Sequence, residues 1–388
     1  MRLIQLKSLR RVKVNSVILI IKLFPYLLGW TIIPDKIVVL NYINLTVKIL
    51  LFCYVAVEYF KIKRFNNFDL FLWIFCTLWM VSAVINYTTI FQIVKDIMGL
   101  LYGFMLVKVG MTKDKKGFIH VISRCFILLL LINLICFIRY PNGIYYVVSY
   151  FENIRYNFLG IDNQITPIAI IALSTYIAER HSHYYNNKFT TIVVVLIVAA
   201  NAIMLQVGTC IFGLGIFSLL VIADKILNKK MPGYTLLLII FFTGFILVVF
   251  FNMQSIFSFI IIEVLKKDLT ISSRTNIWKI AIEYISEKPI LGYGIGTTTF
   301  MPHYDRNAHN TVLQLCLQCG ISGLVVLTNL LICPCKILKN KQNSILVYAV
   351  FAFLIMSISE VYNLMFLILL LSMLYYFRCG STPKLDTQ

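Results

Sequence analysis

The chain has 388 residues, of which 60% are hydrophobic and 13% charged, with a mean hydropathy of +0.86. A soluble domain carries roughly 45–50% apolar and about 25% charged residues, and its exterior must meet water. An ordinary cytosolic enzyme, a secreted domain and a disordered chain are therefore excluded, and a polytopic membrane protein remains. The net charge of +19, from 35 basic and 16 acidic residues, points first to basic loops that orient helices rather than to nucleic acid.

A membrane helix needs about 20 mostly apolar residues. Twelve such spans are predicted, at 14–33, 37–57, 68–86, 91–109, 118–138, 165–179, 190–206, 210–224, 234–252, 310–332, 344–358 and 363–377. The sixth and eleventh are short. The first has a basic flank but no small-residue cleavage site, and another span follows at once, so it reads as an anchor helix and not as a signal peptide. The fold class expected is all-α: one integral-membrane domain over 1–388 with about twelve transmembrane helices.

The basic residues give an orientation. With the N-terminus inside, the inner segments are 1–13, 58–67, 108–117, 180–189, 225–233, 333–343 and 378–388, and together they hold 22 Lys or Arg. Nine lie in outer segments, six of these in one loop, and Lys22, Lys48, Lys95 and Arg124 fall within spans. Every inner segment is basic, which predicts cytoplasmic N- and C-termini in the cytoplasmic (inner) membrane. The charges within spans, Asp96 beside Lys95 among them, are expected to face the bundle or a wet cavity.

Two outer segments, 139–164 and 253–309, are too long for simple turns, and long loops in compact proteins usually carry function. No internal repeat of the kind that marks many transporters is visible. Most of the ten cysteines, such as Cys53, Cys76, Cys125, Cys136 and Cys210, fall in apolar runs and read as small buried hydrophobes. Cys316 and Cys319 lie within an apolar helix, and Cys333 and Cys335 flank Pro334 without a histidine cluster, so no metal site is expected.

The 253–309 loop carries an amphipathic helix. Ile277, Trp278, Ala281, Ile282 and Ile285 recur on one face, and Lys279, Glu283, Glu287 and Lys288 take the other. Ser272 or Ser273 can cap its start, and Pro289 stops its end. Arg274 shares the inward stripe, in the first turn, near the positive end of the helix dipole. That is a place for a phosphate, which guanidinium matches two oxygens at a time, or for an arginine snorkelling to lipid headgroups. Gly292, Gly294 and Gly296 do not open a helix after a strand, so they read as tight turns near a ligand rather than as a nucleotide loop. Asp305, Arg306, Asn307, His309 and Asn310 then precede an apolar span. His309 is either a plain interfacial residue or a proton acceptor for a hydroxyl at the lipid–water boundary.

The pattern Arg274-x-x-x-Trp278, Pro289-Ile-Leu-Gly292-Tyr-Gly294-Ile-Gly296, Ala308-His309-Asn310 and Gly320-Ile-Ser-Gly323 resembles the C-terminal signature of the O-antigen ligase and Wzy-type polymerase superfamily. Arg155-x-x-x-x-Gly160-x-x-Asn163 and Glu360 in SISEVYN look like further family positions. One departure is that ligases typically carry an Arg just after a Ser at the start of a middle span, where this chain reads QVGTCIFGLG from Gln206 to Gly215. That leans the resemblance towards polymerase.

The resemblance implies a glycosyltransferase that moves a growing glycan from polyprenyl diphosphate onto a new lipid-linked repeat unit at the outer face. O-antigen, capsule or exopolysaccharide would be the product. Such an enzyme is inverting, uses no cofactor and, by analogy with ligases, no metal. Arg274 and Arg155 would meet the diphosphate, and His309 would accept the proton. Asn163 and Asn310 would hold sugar or phosphate oxygens, and Glu360 would orient a basic partner or share the proton. Expected partners are polyprenyl-diphosphate-linked oligosaccharides, membrane lipid, and a chain-length regulator and a flippase, with no nucleic acid. The alternatives are a ligase or protein O-oligosaccharyltransferase of the same superfamily and, in another class, a polysaccharide flippase or transporter.

Overall fold

The computed structural model describes residues 16–25, 27, 31, 38–148, 153–181, 187–205, 207–227, 232–251, 271–296, 299–304, 306–338 and 344–379. The expectations placed on Gln206, Asp305, residues 252–270 of the long loop and the side chains of Ser272 and Ser273 lie outside them. In chain order the helices are α1 (Ser16–Pro25), α2 (Val38–Lys61), α3 (Asn67–Ile85), α4 (Ile90–Arg139), α5 (Ile165–His181), α6 (Lys188–Leu205), α7 (Gly208–Ile226), α8 (Tyr234–Val249), α9 (Ile271–Glu287), α10 (Thr311–Ile337), α11 (Ser344–Met356) and α12 (Leu364–Cys379). Three short strands, β1 (Tyr145–Val148), β2 (Asn153–Asn157) and β3 (Gly160–Ile161), intervene between α4 and α5.

The fold is that of an all-α polytopic membrane protein. Among the described residues six helices, α2, α3, α4, α6, α7 and α10, are long and apolar enough to cross a membrane by length and composition. Shorter apolar helices join them, and α5, α11 and α12 are buried almost all round. A helix that faces protein on every side carries no amphipathic stripe, and these three give apolar runs that are short because the helices are short, at 17, 13 and 16 residues.

The segment 108–117, expected as a basic loop between two spans, is a tight break: α4 (Ile90–Arg139) is two helices joined across a kink at Asp114 (φ −153°, ψ 87°). The stretches 90–113 and 115–139 on either side of it each rise roughly 35–40 Å, enough for one bilayer core of about 30 Å, so both expected spans are present. The Asp114 carboxylate accepts the Gly117 N–H at 3.0 Å and recaps the helix beyond the kink. Lys108, counted with the loop charges, is 2% exposed, and its Nζ lies 4.6 Å from the centroid of the Tyr59 ring. A buried ammonium is tolerated there because the ring faces answer its charge.

The chain divides into two compact units. The first comprises 1–63, 102–214 and 372–388, and the second 64–101 and 215–371. In the first unit, β1 and β2 pair antiparallel with Tyr145 opposite Tyr156 and Tyr146 opposite Arg155, and β3 adds to β2. The Tyr145 and Tyr156 rings stack at 4.6 Å. Asn133 of α4 accepts the Leu159 N–H at 3.1 Å and donates to Asn201 of α6 at 2.9 Å, tying this sheet to two helices. Glu179, 3% exposed, is answered by His120 at 2.7 Å and Arg124 at 3.4 Å.

In the second unit α3 lies against α10, and the turn after α9 is threaded between them. Gly320 breaks α10 with φ 64°. The carbonyls of Leu317 and Gln318, freed from the helix ladder there, accept the N–H groups of Tyr293 and Gly294 at 2.7 and 3.0 Å. From the other side Ser82 donates to Leu291 O and Gln318 O, Asn86 to Gly292 O, Thr88 to Gly294 O and the Trp79 indole to Ile295 O. Gly292 and Gly294 both have φ 65°, and a Cβ on either would fall within 2.5–2.7 Å of backbone atoms. These glycines therefore serve close approach to α10 and α3, not the approach of a ligand.

Candidate active site

α9 forms as the sequence predicts, from Ile271 to Glu287. Ile277, Trp278 and Ala281 are at most 2% exposed, and this stripe packs on α10. Arg274, one turn before Trp278, reaches back to the segment between α11 and α12. Its Nη1 donates to the Ser359 carbonyl at 2.5 Å and its Nη2 to Glu360 Oε2 at 3.3 Å. The side chain stays 27% exposed, whereas that of Glu360 is 6% exposed. Among the described residues these two contacts leave part of the five-donor guanidinium fork unoccupied.

Ala308, His309 and Asn310 form the entry to α10, and each is fixed by a different bond. Ala308 N–H donates to Gln314 Oε1 at 3.0 Å, and His309 N–H donates to Asn307 Oδ1 at 2.9 Å. Asn310 caps α10, its Oδ1 accepting from the N–H groups of Val312 and Leu313 at 2.9 and 3.0 Å. His309 has φ 43°, a left-handed conformation uncommon for a residue with a Cβ. Its Nδ1 lies 3.6 Å from Glu360 Oε2, and its side chain is 30% exposed. One buried carboxylate thus stands between a guanidinium and an imidazole, both partly open to solvent.

Thr311 completes the frame. Its N–H donates to Ser357 O, its hydroxyl donates to Glu360 O at 2.8 Å and accepts the Tyr362 N–H at 3.1 Å. The α11–α12 turn is held on the start of α10 by these bonds and by the Asn310 amide, which donates to Ile358 O at 2.7 Å.

Of the residues singled out in the sequence, Arg274, His309, Asn310 and Glu360 come together in the second unit. Asn310 was expected to hold a sugar or phosphate oxygen. It is fully buried and its amide is occupied by the cap and by Ile358, so the structure makes it a capping residue instead. Arg155 and Asn163 belong to the first unit. Arg155, expected at the diphosphate, has its charge answered by Asp162 at 2.8 Å, with further bonds to Pro141 O and Leu205 O and the Phe137 ring beneath it. Asn163 sits half-buried in a single 3-10 turn, Asp162–Gln164.

Gln314 was missed by the sequence reading. A glutamine inside an apolar run is costly to bury unless bonded, and that was the available signal. Tyr293 is no rival proton acceptor, because burial first and then its 2.5 Å bond to Glu287 push its phenol pKa up.

Residues 188–328 match the family model Wzy_C, described as O-antigen ligase. The matched segment holds Arg274 and His309 and ends before Glu360. No curated protein and no solved structure matches the chain.

Proposed function

We propose that this chain, whose residues 188–328 match the O-antigen ligase family model Wzy_C, belongs to the O-antigen ligase/Wzy superfamily and polymerises polyprenyl-diphosphate-linked repeat units. The growing glycan is the donor, and a new lipid-linked unit at the outer face of the membrane is the acceptor. The observation that carries the reading is the Arg274–Glu360–His309 cluster, with both basic side chains partly exposed around one buried carboxylate.

The chemistry follows from the groups present. An acceptor hydroxyl attacks the anomeric carbon and forms the new glycosidic bond. The bond from that carbon to the diphosphate oxygen breaks, and the electron pair leaves with polyprenyl diphosphate. Negative charge grows on that leaving group, and Arg274 is fixed beside it by Glu360 and the Ser359 carbonyl, so little reorganisation is needed as the charge develops. His309 takes the hydroxyl proton. A single displacement inverts the anomeric centre, and no water is activated, so the paired carboxylates of glycoside hydrolases have no part.

The ligase reading is kept as the second one because the matched family model carries that description. It employs the same residues with another acceptor. The absence of an Arg in Gln206–Gly215 supports the polymerase. The test is purified protein in detergent with a lipid-linked oligosaccharide. A ladder of elongated lipid-linked products is expected. Product only when lipid A core or a protein acceptor is added would instead establish a ligase, and no product with any acceptor would sink both.

A further inference from the structure

We propose that Gln314 is a positioning residue that sets the orientation of His309, an inference that rests on the reading of His309 as proton acceptor. Gln314 lies in the first turns of α10 and is 1% exposed. Its amide bonds three backbone groups outside its own helix. Oε1 accepts the Ala308 N–H at 3.0 Å, and Nε2 donates to Thr299 O at 2.9 Å and Gly296 O at 3.3 Å. These groups lie at the two feet of one segment, 296–308. A single side chain therefore straps both feet of the loop to the helix that His309 introduces.

The consequence for His309 comes from what holds its ring. A histidine that takes a proton is usually oriented by a hydrogen bond on its other ring nitrogen. His309 Nδ1 has no hydrogen-bond partner among the described residues, with Glu360 at 3.6 Å. The ring is placed by its backbone instead, and that backbone is in the left-handed region at φ 43°. Such a conformation persists only where the surroundings over-determine it. Asn310 fixes the residue after His309. Gln314 fixes the peptide before it, and through the same amide also holds the far foot of the loop. Without the strap the loop relaxes, and the imidazole moves from the position that its backbone dictates.

The experiment uses the full-length protein in detergent with a lipid-linked oligosaccharide, and measures kcat, KM and Tm. Gln314→Met keeps the length and removes all three bonds. Gln314→Glu keeps an acceptor for the Ala308 N–H but sets a carboxylate against two carbonyls. It is the second variant should Gln314→Met not fold. Each is made alone and with His309→Ala. Displacement of a reacting group by about 1 Å can cost on the order of 100-fold, so Gln314→Met is expected to lower kcat by about 10- to 100-fold with KM for the lipid-linked unit nearly unchanged. Gln314→Glu should fall between it and the wild type. In the His309→Ala background the same changes should cost almost nothing further, because the group they position is gone.

Wild-type kcat in the Gln314 variants overturns the inference, as does an effect on KM or Tm alone, or an equal loss with and without His309. An inactive His309→Ala beside normal Gln314 variants removes only this inference. A fully active His309→Ala removes the reading of His309 and the inference with it.

Discussion

Arg274 and Arg155 are the same residue type in the two long loops, and their surroundings separate them. Arg155 is paired with Asp162 at 2.8 Å, bonded to two carbonyls and laid over Phe137. Its guanidinium braces a small sheet against a helix end. Arg274 makes one bond to a carbonyl and one longer contact, 3.3 Å, to Glu360. That carboxylate also faces His309 at 3.6 Å. The lesson is that an arginine in a suggestive loop is informative only once its partners are known. Each guanidinium has a carboxylate partner and a similar exposure, 24% for Arg155 and 27% for Arg274. Among the described residues, however, Arg155 is committed to three bonds and a ring while Arg274 makes two, so more of its fork can receive an anion.

The comparison breaks or sharpens through substitution. Arg274→Ala should reduce elongation by about 100-fold or more, the usual cost of removing a preorganised donor from a developing charge. Arg274→Lys should restore little, since an ammonium cannot form the fork. Polysaccharide ladders in cells lacking the native gene, at equal expression, are the measurement, and normal ladders from Arg274→Ala would erase the distinction drawn here. His309→Ala comes next, with a loss of about 100-fold, read in the same ladders and in the detergent assay.

Glu360→Gln should cost less, about 10-fold. It keeps hydrogen-bonding capacity toward Arg274 and loses the charge that fixes it, and initial rates at saturating lipid-linked unit would show this. Asn310→Ala should lower stability by about 1 kcal/mol through the lost cap, seen as a reduced Tm in detergent, with activity per folded molecule falling far less than for Arg274→Ala. Arg155→Ala should have the smallest catalytic effect, less than about 5-fold, with a lower Tm. A loss equal to that of Arg274→Ala would put the two arginines back in one class.

Much of this was legible in the sequence because periodicity and hydropathy are local. The apolar runs gave the helices, and the inward stripe of α9 followed from Ile277, Trp278 and Ala281. What was not legible is either long-range or ambiguous by composition. Lys108, Lys113, Lys115 and Lys116 mark the break between two spans, but not that it shrinks to a kink at the single residue Asp114, because lysine is a good helix former. Glu360 and Arg274 are 86 residues apart, and no local pattern pairs them. The strands β1–β3 are two to five residues long, too short for alternation to mark. Asn310 is a different case. An asparagine directly before an apolar helix is a cap signal in its own right, and its bonds to Val312 and Leu313 are that cap.

The ion pair between Arg274 and Glu360 also bears on how such enzymes can be recombined. The matched segment closes at residue 328, and the carboxylate that anchors its arginine lies beyond that limit. A chimera built by exchanging 188–328 between relatives would set the transplanted arginine and histidine against the recipient's own residue at the Glu360 position. The site is therefore a discontinuous unit, and only an exchange that also carries Ser357–Tyr362 keeps its native ion pair together.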